Sequence, residues 1–267
     1  EAGFFERKQM GLKEEKVMEL AMEAGQLLLE NGAEISRTSE TMQRICQAYG
    51  VCSEETFVLS NGIFLTGGGA GKGYFAKVRH IPVSGTCLER VIAVNQLSRE
   101  IEAGKHTPDE AARILIKIRG EKGKKWTDIF ASGIGSGAFC CFFGGGLADG
   151  TAAFCAGILV SVLTRGMQVM KLSKITRNIA GCLAVSIFCG LAYAVGMGEH
   201  LDYMIIGSVM PMVPGVAFIN AIREIVNEDY ISGAVRMLDT VTVFLCIASG
   251  VGVGILVLNH ILGGVFL

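Results

Sequence analysis

The segment that decides the fold is residues 237–262, MLDTVTVFLCIASGVGVGILVLNHIL, which contains a single Asp, Glu, Lys or Arg residue, Asp239. A helix of this length can cross the hydrocarbon core of a bilayer, which is roughly 30 Å thick. Several apolar runs precede it, and short polar breaks separate them. The pattern predicts about five membrane-spanning helices, at residues 127–146, 150–165, 178–197, 203–222 and 237–262.

The charged side chains divide the sequence at Trp126. Residues 1–126 hold 35 of the 49 charged side chains, and residues 127–267 hold the other 14. The first part balances 18 basic against 17 acidic residues, so it lacks the basic excess typical of nucleic-acid-binding proteins. We therefore predict a cytoplasmic domain at residues 1–126 and an all-helical membrane domain at residues 127–267, and we exclude nucleic acid as a partner.

The basic residues near the predicted spans indicate their orientation, because lysine and arginine close to a span resist translocation. They cluster before the first span, after the second and around the break after the fourth. The breaks at 146–149 and 198–202 contain neither lysine nor arginine. This partition predicts a multi-pass protein of the cytoplasmic (inner) membrane, with its N-terminus inside and its C-terminus outside.

The fourth predicted span contains Met210-Pro211-Met212-Val213-Pro214-Gly215. Each proline removes a backbone donor and crowds the preceding turn, so we predict a helix broken at Pro211 and Pro214. Transporters use the carbonyls and helix ends of broken spans to bind ions and substrates, although a kink that serves only packing is an equal alternative. Asp239 has two possible interpretations, a solvated carboxylate at the membrane interface and a carrier of protons or cations, and the sequence leaves both open. The candidate residues of the substrate or ion path are Pro211, Pro214, Gly215, Asn220, Asp239 and Thr240.

The charged half has the periodicities of a small α+β domain. Apolar residues at three- and four-residue spacing predict helices near 17–30, 33–49, 86–103 and 108–119. Strand patterns occur at 56–60, 63–66 and 74–83, with the glycine-rich residues 67–73 as a hairpin tip. Thr107-Pro108-Asp109-Glu110 predicts a capping box with proline at the first helical position.

The sequence offers little support for catalysis or for a cofactor. The glycine-rich segment lacks the first glycine and the Ser or Thr that a phosphate-binding loop requires. No spacing of Ser, Cys or His suggests a catalytic triad, and none suggests a metal site. We therefore expect no enzyme activity, no cofactor and no metal. Glu34 and Arg37 can meet on one helix face, where a solvated ion pair is the simplest interpretation.

Taken in order, several short motifs resemble the threonine/serine exporter family (ThrE/YjjP-type). The resemblance extends from about residue 12 to residue 254, and the Pro-x-x-Pro-Gly motif is its most specific part. The motifs are Gly32-Ala33-Glu34 with Arg37 and Glu40, Gly62-Ile63-Phe64-Leu65, Arg90-Val91, Asn95-Gln96-Leu97-Ser98-Arg99 and Met210-Pro211-Met212-Val213-Pro214-Gly215.

The resemblance implies export of small polar metabolites, driven by the membrane gradient rather than by ATP. Long members of the family fuse a half like this one to a second membrane domain, whereas split members pair it with a short all-membrane chain. Because this chain stops after its fifth predicted span, it resembles the larger subunit of the split form. The implied partners are the small membrane subunit, a small-molecule substrate and the lipid bilayer, in a hetero-oligomer.

Threonine and serine are the favoured substrates, and a dicarboxylate such as succinate is the alternative that some split pairs imply. The predicted spans hold no Lys or Arg in their interiors, so a dicarboxylate would need cations from elsewhere. A membrane-anchored hydrolase and a membrane sensor are the other classes considered. The candidate residues of the cytoplasmic domain are Glu34, Arg37, Asn61, Arg79, Arg90, Asn95 and Arg99.

Overall fold

The structure, a computed structural model, describes residues 2–51, 54–67, 75–81, 85–121 and 125–261. The described chain is mostly helical and includes one small sheet. The first elements are α1 (Ala2–Glu30), α2 (Ile35–Ala48), β1 (Glu54–Leu59), β2 (Gly62–Gly67), β3 (Phe75–His80), α3 (Leu88–Glu102) and α4 (Pro108–Gly120). The apolar part contains α5 (Lys125–Phe142), α6 (Leu147–Val169), α7 (Lys174–Ala194), α8 (Leu201–Val209), a 3-10 turn (Met210–Met212), α9 (Gly215–Val226) and α10 (Tyr230–Ile261).

The chain divides into two compact units, and the division does not follow the sequence order. The first unit contains Glu1–Glu121 together with Val216–Met237. The second contains Lys122–Gly215 together with Leu238–Leu267. Helix α9 and the start of α10 therefore belong with the charged N-terminal part. The membrane boundary predicted at Trp126 stays a prediction.

The core of the first unit is built around α1. Its buried stripe includes Val17, Ala21, Ala24 and Leu28, which recur at the spacing of one helix face. Helix α2 packs beside it and contributes a buried stripe of its own, including Met42. The predicted helices in this region are confirmed, although α1 begins earlier than the apolar periodicity indicated.

The three strands form an antiparallel sheet in the order β1-β2-β3. Ile63 and Leu65 are fully buried, whereas Phe57 and Phe64 are exposed, so the sheet covers the core with one face. The three predicted strands are confirmed, and β3 ends at His80. The predicted hairpin tip at 67–73 lies outside the described residues except for Gly67, which ends β2.

Helix α4 begins as the sequence predicts. The Thr107 hydroxyl accepts a hydrogen bond from the backbone N–H of Glu110, and the Glu110 carboxylate accepts one from the N–H of Thr107. Pro108 occupies the first turn, where its missing N–H costs nothing. The predicted capping box is confirmed.

Small residues bring the helices of the second unit close together. A β-carbon built on Gly137 of α5 would lie 2.9 Å from the carbonyl oxygen of Gly150 of α6. One built on Gly207 of α8 would lie 2.6 Å from the backbone N of Cys140 on α5. Such approaches tolerate no side chain, and they are typical of helix packing in lipid.

The helical stretch at residues 201–226 is interrupted. Helix α8 ends at Val209, the 3-10 turn follows, and α9 begins at Gly215. Pro211 has no N–H for the carbonyl of Gly207, and Pro214 has none for the carbonyl of Met210, which instead accepts the N–H of Val213 at 3.0 Å. That the two pieces form one broken membrane span stays a prediction.

The predicted number of spans is not confirmed. By length and composition, α6, α7 and α10 can each cross a membrane within the described chain, and α8 with α9 can form a fourth span if the pair is counted as one. Helix α5, which corresponds to the predicted first span, is only 18 residues long and has Asp128 in its first turn. Lys125 and Asp128 lower the mean hydropathy of α5, because a helix this short cannot leave them outside the span. Helix α5 is therefore not among the helices that can cross a membrane by length and composition.

Candidate functional site

A tight turn between α1 and α2 forms the centre of the candidate site. The Asn31 side chain donates to the carbonyl of Leu27 at 2.7 Å, and the N–H of Ala33 donates to the carbonyl of Leu28 at 3.0 Å. Gly32 has a φ of +81°, and a β-carbon there would lie 2.9 Å from the Thr86 hydroxyl. Glycine is therefore required at this turn.

Side chains of α9 and α10 bind the backbone of this turn, within the first unit. The Asn220 amide donates to the carbonyl of Gly32 at 3.0 Å. The Arg236 guanidinium donates to the carbonyl of Ala33 at 2.8 Å. Both side chains are at least nine-tenths buried. The turn is thus fixed by hydrogen bonds from residues 188 and 203 positions later in the chain.

Five charged side chains lie at this turn and on the adjoining helices α2, α9 and α10. Glu34 accepts a hydrogen bond from Arg223, and its other oxygen lies 3.7 Å from the Nε of Arg37. Both arginines are well exposed, whereas Glu34 is largely buried. Deeper in the unit, Glu224 forms a buried ion pair with Arg236. We call Glu34, Arg37, Asn220, Arg223, Glu224 and Arg236 the turn cluster.

The other cytoplasmic candidates make separate contacts. Arg79 binds Glu19 and Gln26 of α1. Arg90 donates to the carbonyl of Glu121 at 2.8 Å and reaches the Asn31 side chain at 3.5 Å, beside the turn. Thr41 donates to the Asn95 side chain at 3.3 Å. The remaining two are exposed: Asn61 in the β1–β2 turn and Arg99 on α3.

The candidates of the second unit are distributed along its helices. Pro211 lies in the 3-10 turn, and Pro214 directly precedes α9, which begins at Gly215. Asp239 accepts a hydrogen bond from Lys174 at 2.7 Å and is one-third exposed. Thr240 is fully buried. The two interpretations of Asp239, a solvated interfacial carboxylate and a proton or cation carrier, both stay predictions.

A second polar centre, which the sequence analysis did not identify, joins two loops of the second unit. The Asp149 carboxylate accepts hydrogen bonds from the backbone N–H groups of Gly146, Glu199 and His200 at 2.9, 2.6 and 3.0 Å. It also pairs with the Nδ1 of His200 at 3.0 Å. Asp149 is 1% exposed, so these bonds compensate for its burial.

The His200–Asp149 pair predicts a pH-dependent stability. The hydrogen bond to Asp149 raises the pKa of His200 above its usual value of 6.5. Protonated His200 therefore stabilises the folded state below pH 6.5, and this contribution is lost as the pH rises through the raised pKa. We expect the melting temperature of the wild type to exceed that of His200→Gln most at acid pH. A difference that is constant with pH would contradict this prediction.

Comparison with known proteins decides the family. The sequence model of the threonine/serine exporter family, ThrE, matches residues 19–258 of the chain. This chain belongs to the threonine/serine exporter family. Three helices of the described chain are long and apolar enough to cross a membrane, which fits membership of this family.

Two relatives of the exporter family chain are informative. A threonine/serine exporter of Corynebacterium glutamicum is 22% identical over 247 residues, which cover 90% of this chain and 50% of the relative. The pheromone-regulated membrane protein 10 of Debaryomyces hansenii is 27% identical over 154 residues, which cover 55% of this chain and 15% of the relative. The chain thus spans half the length of the bacterial exporter. No solved structure matches it.

Three members of the turn cluster of this exporter family chain were not predicted from the sequence: Arg223, Glu224 and Arg236. In the sequence, Arg223 and Arg236 were interpreted only as basic residues that flank the break after the fourth predicted span. Glu224 directly follows Arg223, and this pair of charges within the mostly apolar sequence of α9 was an available signal. Within the described ranges, no group of three or more His, Cys, Asp or Glu side chains is placed to hold a metal ion.

Proposed function

We propose that this chain is one component of a gradient-driven exporter that moves threonine and serine out of the cell across the cytoplasmic membrane. The match of the family model to residues 19–258 carries the proposal. The bacterial relative, which is named a threonine/serine exporter, supports this substrate class. The alternation of basic and non-basic breaks supports an orientation with the N-terminus inside and the C-terminus outside.

The proposed second component is a short all-membrane chain of the same family. This chain matches half the length of the bacterial relative, which leaves room for a second component in that relative. Many secondary transporters are built from two related repeats whose interface holds the substrate site. The chain would supply one repeat and the cytoplasmic domain, and its partner the other repeat.

Glu34 together with the two exposed arginines that pair with it, Arg37 and Arg223, is the proposed contact for substrate on the cytoplasmic side. Glu34 provides a carboxylate for the ammonium group of an amino acid, and Arg37 and Arg223 provide guanidinium groups for its carboxylate. A zwitterionic amino acid carries an ammonium group and a carboxylate, so it can pair with Glu34 and with the two arginines at the same time. A dicarboxylate such as succinate would be repelled by Glu34, so the charges favour threonine and serine.

The interruption at Pro211–Gly215 is the proposed path through the membrane, with Asp239 and Thr240 as further candidates. We expect Pro211→Ala combined with Pro214→Ala to restore a continuous helix and to reduce threonine flux strongly. The physical reason is that regular backbone hydrogen bonds would occupy the carbonyls available at the interruption. Flux is measured in vesicles at matched protein content. Unaltered flux in the double variant would contradict the proposed path.

Substrate choice is tested in cells that lack their own threonine export and express this chain with its partner. We expect threonine to accumulate outside these cells and excess cytoplasmic serine to compete with it. Succinate should not compete. Glu34→Gln should weaken the discrimination against succinate, because it removes the repelling charge. Competition by succinate alone would favour the dicarboxylate alternative.

A further inference from the structure

Glu224 is a carboxylate in an unusually buried position. It lies on α9 and is 3% exposed. Removing an ionised carboxylate from water is costly unless it is paired and hydrogen-bonded. In the sequence of α9, GVAFINAIREIV, it follows Arg223 and precedes Ile225 and Val226. The stability of its ionised form therefore depends on the groups that face the carboxylate.

The groups that face Glu224 only partly satisfy its charge. On α10, the Nε of Arg236 lies 3.3 Å from one carboxylate oxygen, while the same guanidinium donates to the carbonyl of Ala33. At the start of α2, the backbone N–H of Ile35 faces the carboxylate. Glu34 and Asp229 add two nearby negative charges. Among the described residues, neither oxygen of Glu224 makes a hydrogen bond of normal geometry.

This arrangement suits a carboxylate that alternates between two states. Without a proton, Glu224 pairs with Arg236. With a proton bound to one carboxylate oxygen, it is neutral and its burial is no longer costly. Arg236 then keeps its hydrogen bond to Ala33 and retains Glu34 as a nearby opposite charge. Gain or loss of one proton thus changes the net charge of the Glu224–Arg236 pair, which lies beside the turn that carries Glu34.

We propose that Glu224 is the proton-binding site of this transporter, and that Arg236 is the partner that holds its ionised form. The inference rests on the proposed function, and it names the proton as the coupling ion of that exporter. Binding of a proton at Glu224 weakens the electrostatic attraction between its carboxyl group and Arg236. It also changes the electrostatic potential at Glu34. Proton movement and amino-acid binding are coupled through this shared turn.

The test compares two assays in proteoliposomes that contain the chain with its partner. One assay measures threonine accumulation driven by an imposed proton gradient, and the other measures exchange of labelled for unlabelled threonine without a gradient. We expect Glu224→Gln to lose the driven accumulation and to retain the exchange. The matched control, Glu228→Gln, makes the same chemical change at an exposed residue and should retain both activities.

A second variant addresses the stability of the protein. Glu224→Gln leaves the charge of Arg236 buried, so Glu224→Gln combined with Arg236→Gln removes both charges and should show the same loss of coupling. Driven accumulation that persists in either variant would overturn the inference. Absence of both driven flux and exchange in the wild type would instead count against the proposed function.

Chemical labelling of the wild type needs no variant. A hydrophobic carbodiimide adds to a protonated buried carboxyl group and forms a stable acylurea, which mass spectrometry locates. We expect modification at Glu224 that increases as the pH falls and that blocks driven accumulation. Absence of modification at every pH tested, with transport active in the same sample, would overturn the inference.

Discussion

At a pH at which Glu224 is ionised, Arg236→Met is expected to lower the free energy of unfolding by about 3–5 kcal/mol, because it leaves a buried carboxylate without its opposite charge. Arg236 lies against Glu224 with an Nε–oxygen distance of 3.3 Å, and the side chains are 10% and 4% exposed. The substitution also removes the donor to the Ala33 carbonyl. Thermal and denaturant unfolding in detergent measure the change.

Two further variants separate the ion pair from general packing. Arg223→Met makes the same chemical change on α9, but Arg223 is about half exposed, so we expect a loss of at most about 1 kcal/mol. Arg236→Met combined with Glu224→Gln should recover much of the stability, because no buried charge is left unpaired. Equal losses for Arg236→Met and Arg223→Met would contradict this assignment.

Asp149→Ala should produce the second large effect, a loss of about 3 kcal/mol or more, because it removes three hydrogen bonds to a charged group, each worth about 1.5–3 kcal/mol. The carboxylate accepts hydrogen bonds from three backbone N–H groups on two loops. Alanine cannot replace any of these bonds. The measurement is the melting temperature of the purified protein in detergent.

Asp202→Ala is the matched control for Asp149→Ala. Asp202 is exposed and lies two residues from His200, so the substitution should change stability by about 0.5 kcal/mol or less. If the two alanine variants unfold at the same temperature, the Asp149 carboxylate does not hold the loops together as described.

Local features of the fold were predictable from the sequence. Thr107 and Glu110 are three residues apart, and their capping box needs no information from elsewhere in the chain. The alternation of buried and exposed residues in β2 likewise follows from the strand period. Such features depend on neighbouring residues alone, which is why their positions were correct within a few residues.

The turn cluster was only partly predictable, because it depends on contacts between distant parts of the chain. Glu34 and Arg37 are three residues apart, and their pairing followed from helix geometry. Asn220 and Gly32 are 188 residues apart, and no periodicity relates them. Hydropathy also identified the apolar part of α10 but not its start at Tyr230, so Arg236 was assigned to a loop.

The measurement that tests the central claim most directly is threonine flux in proteoliposomes under an imposed proton gradient. The chain is reconstituted alone and together with its proposed partner, with labelled threonine, serine and succinate as substrates. We expect gradient-driven flux of threonine and serine only when both chains are present. Absence of flux under every condition, with the partner verified as bound, would contradict the proposed exporter function.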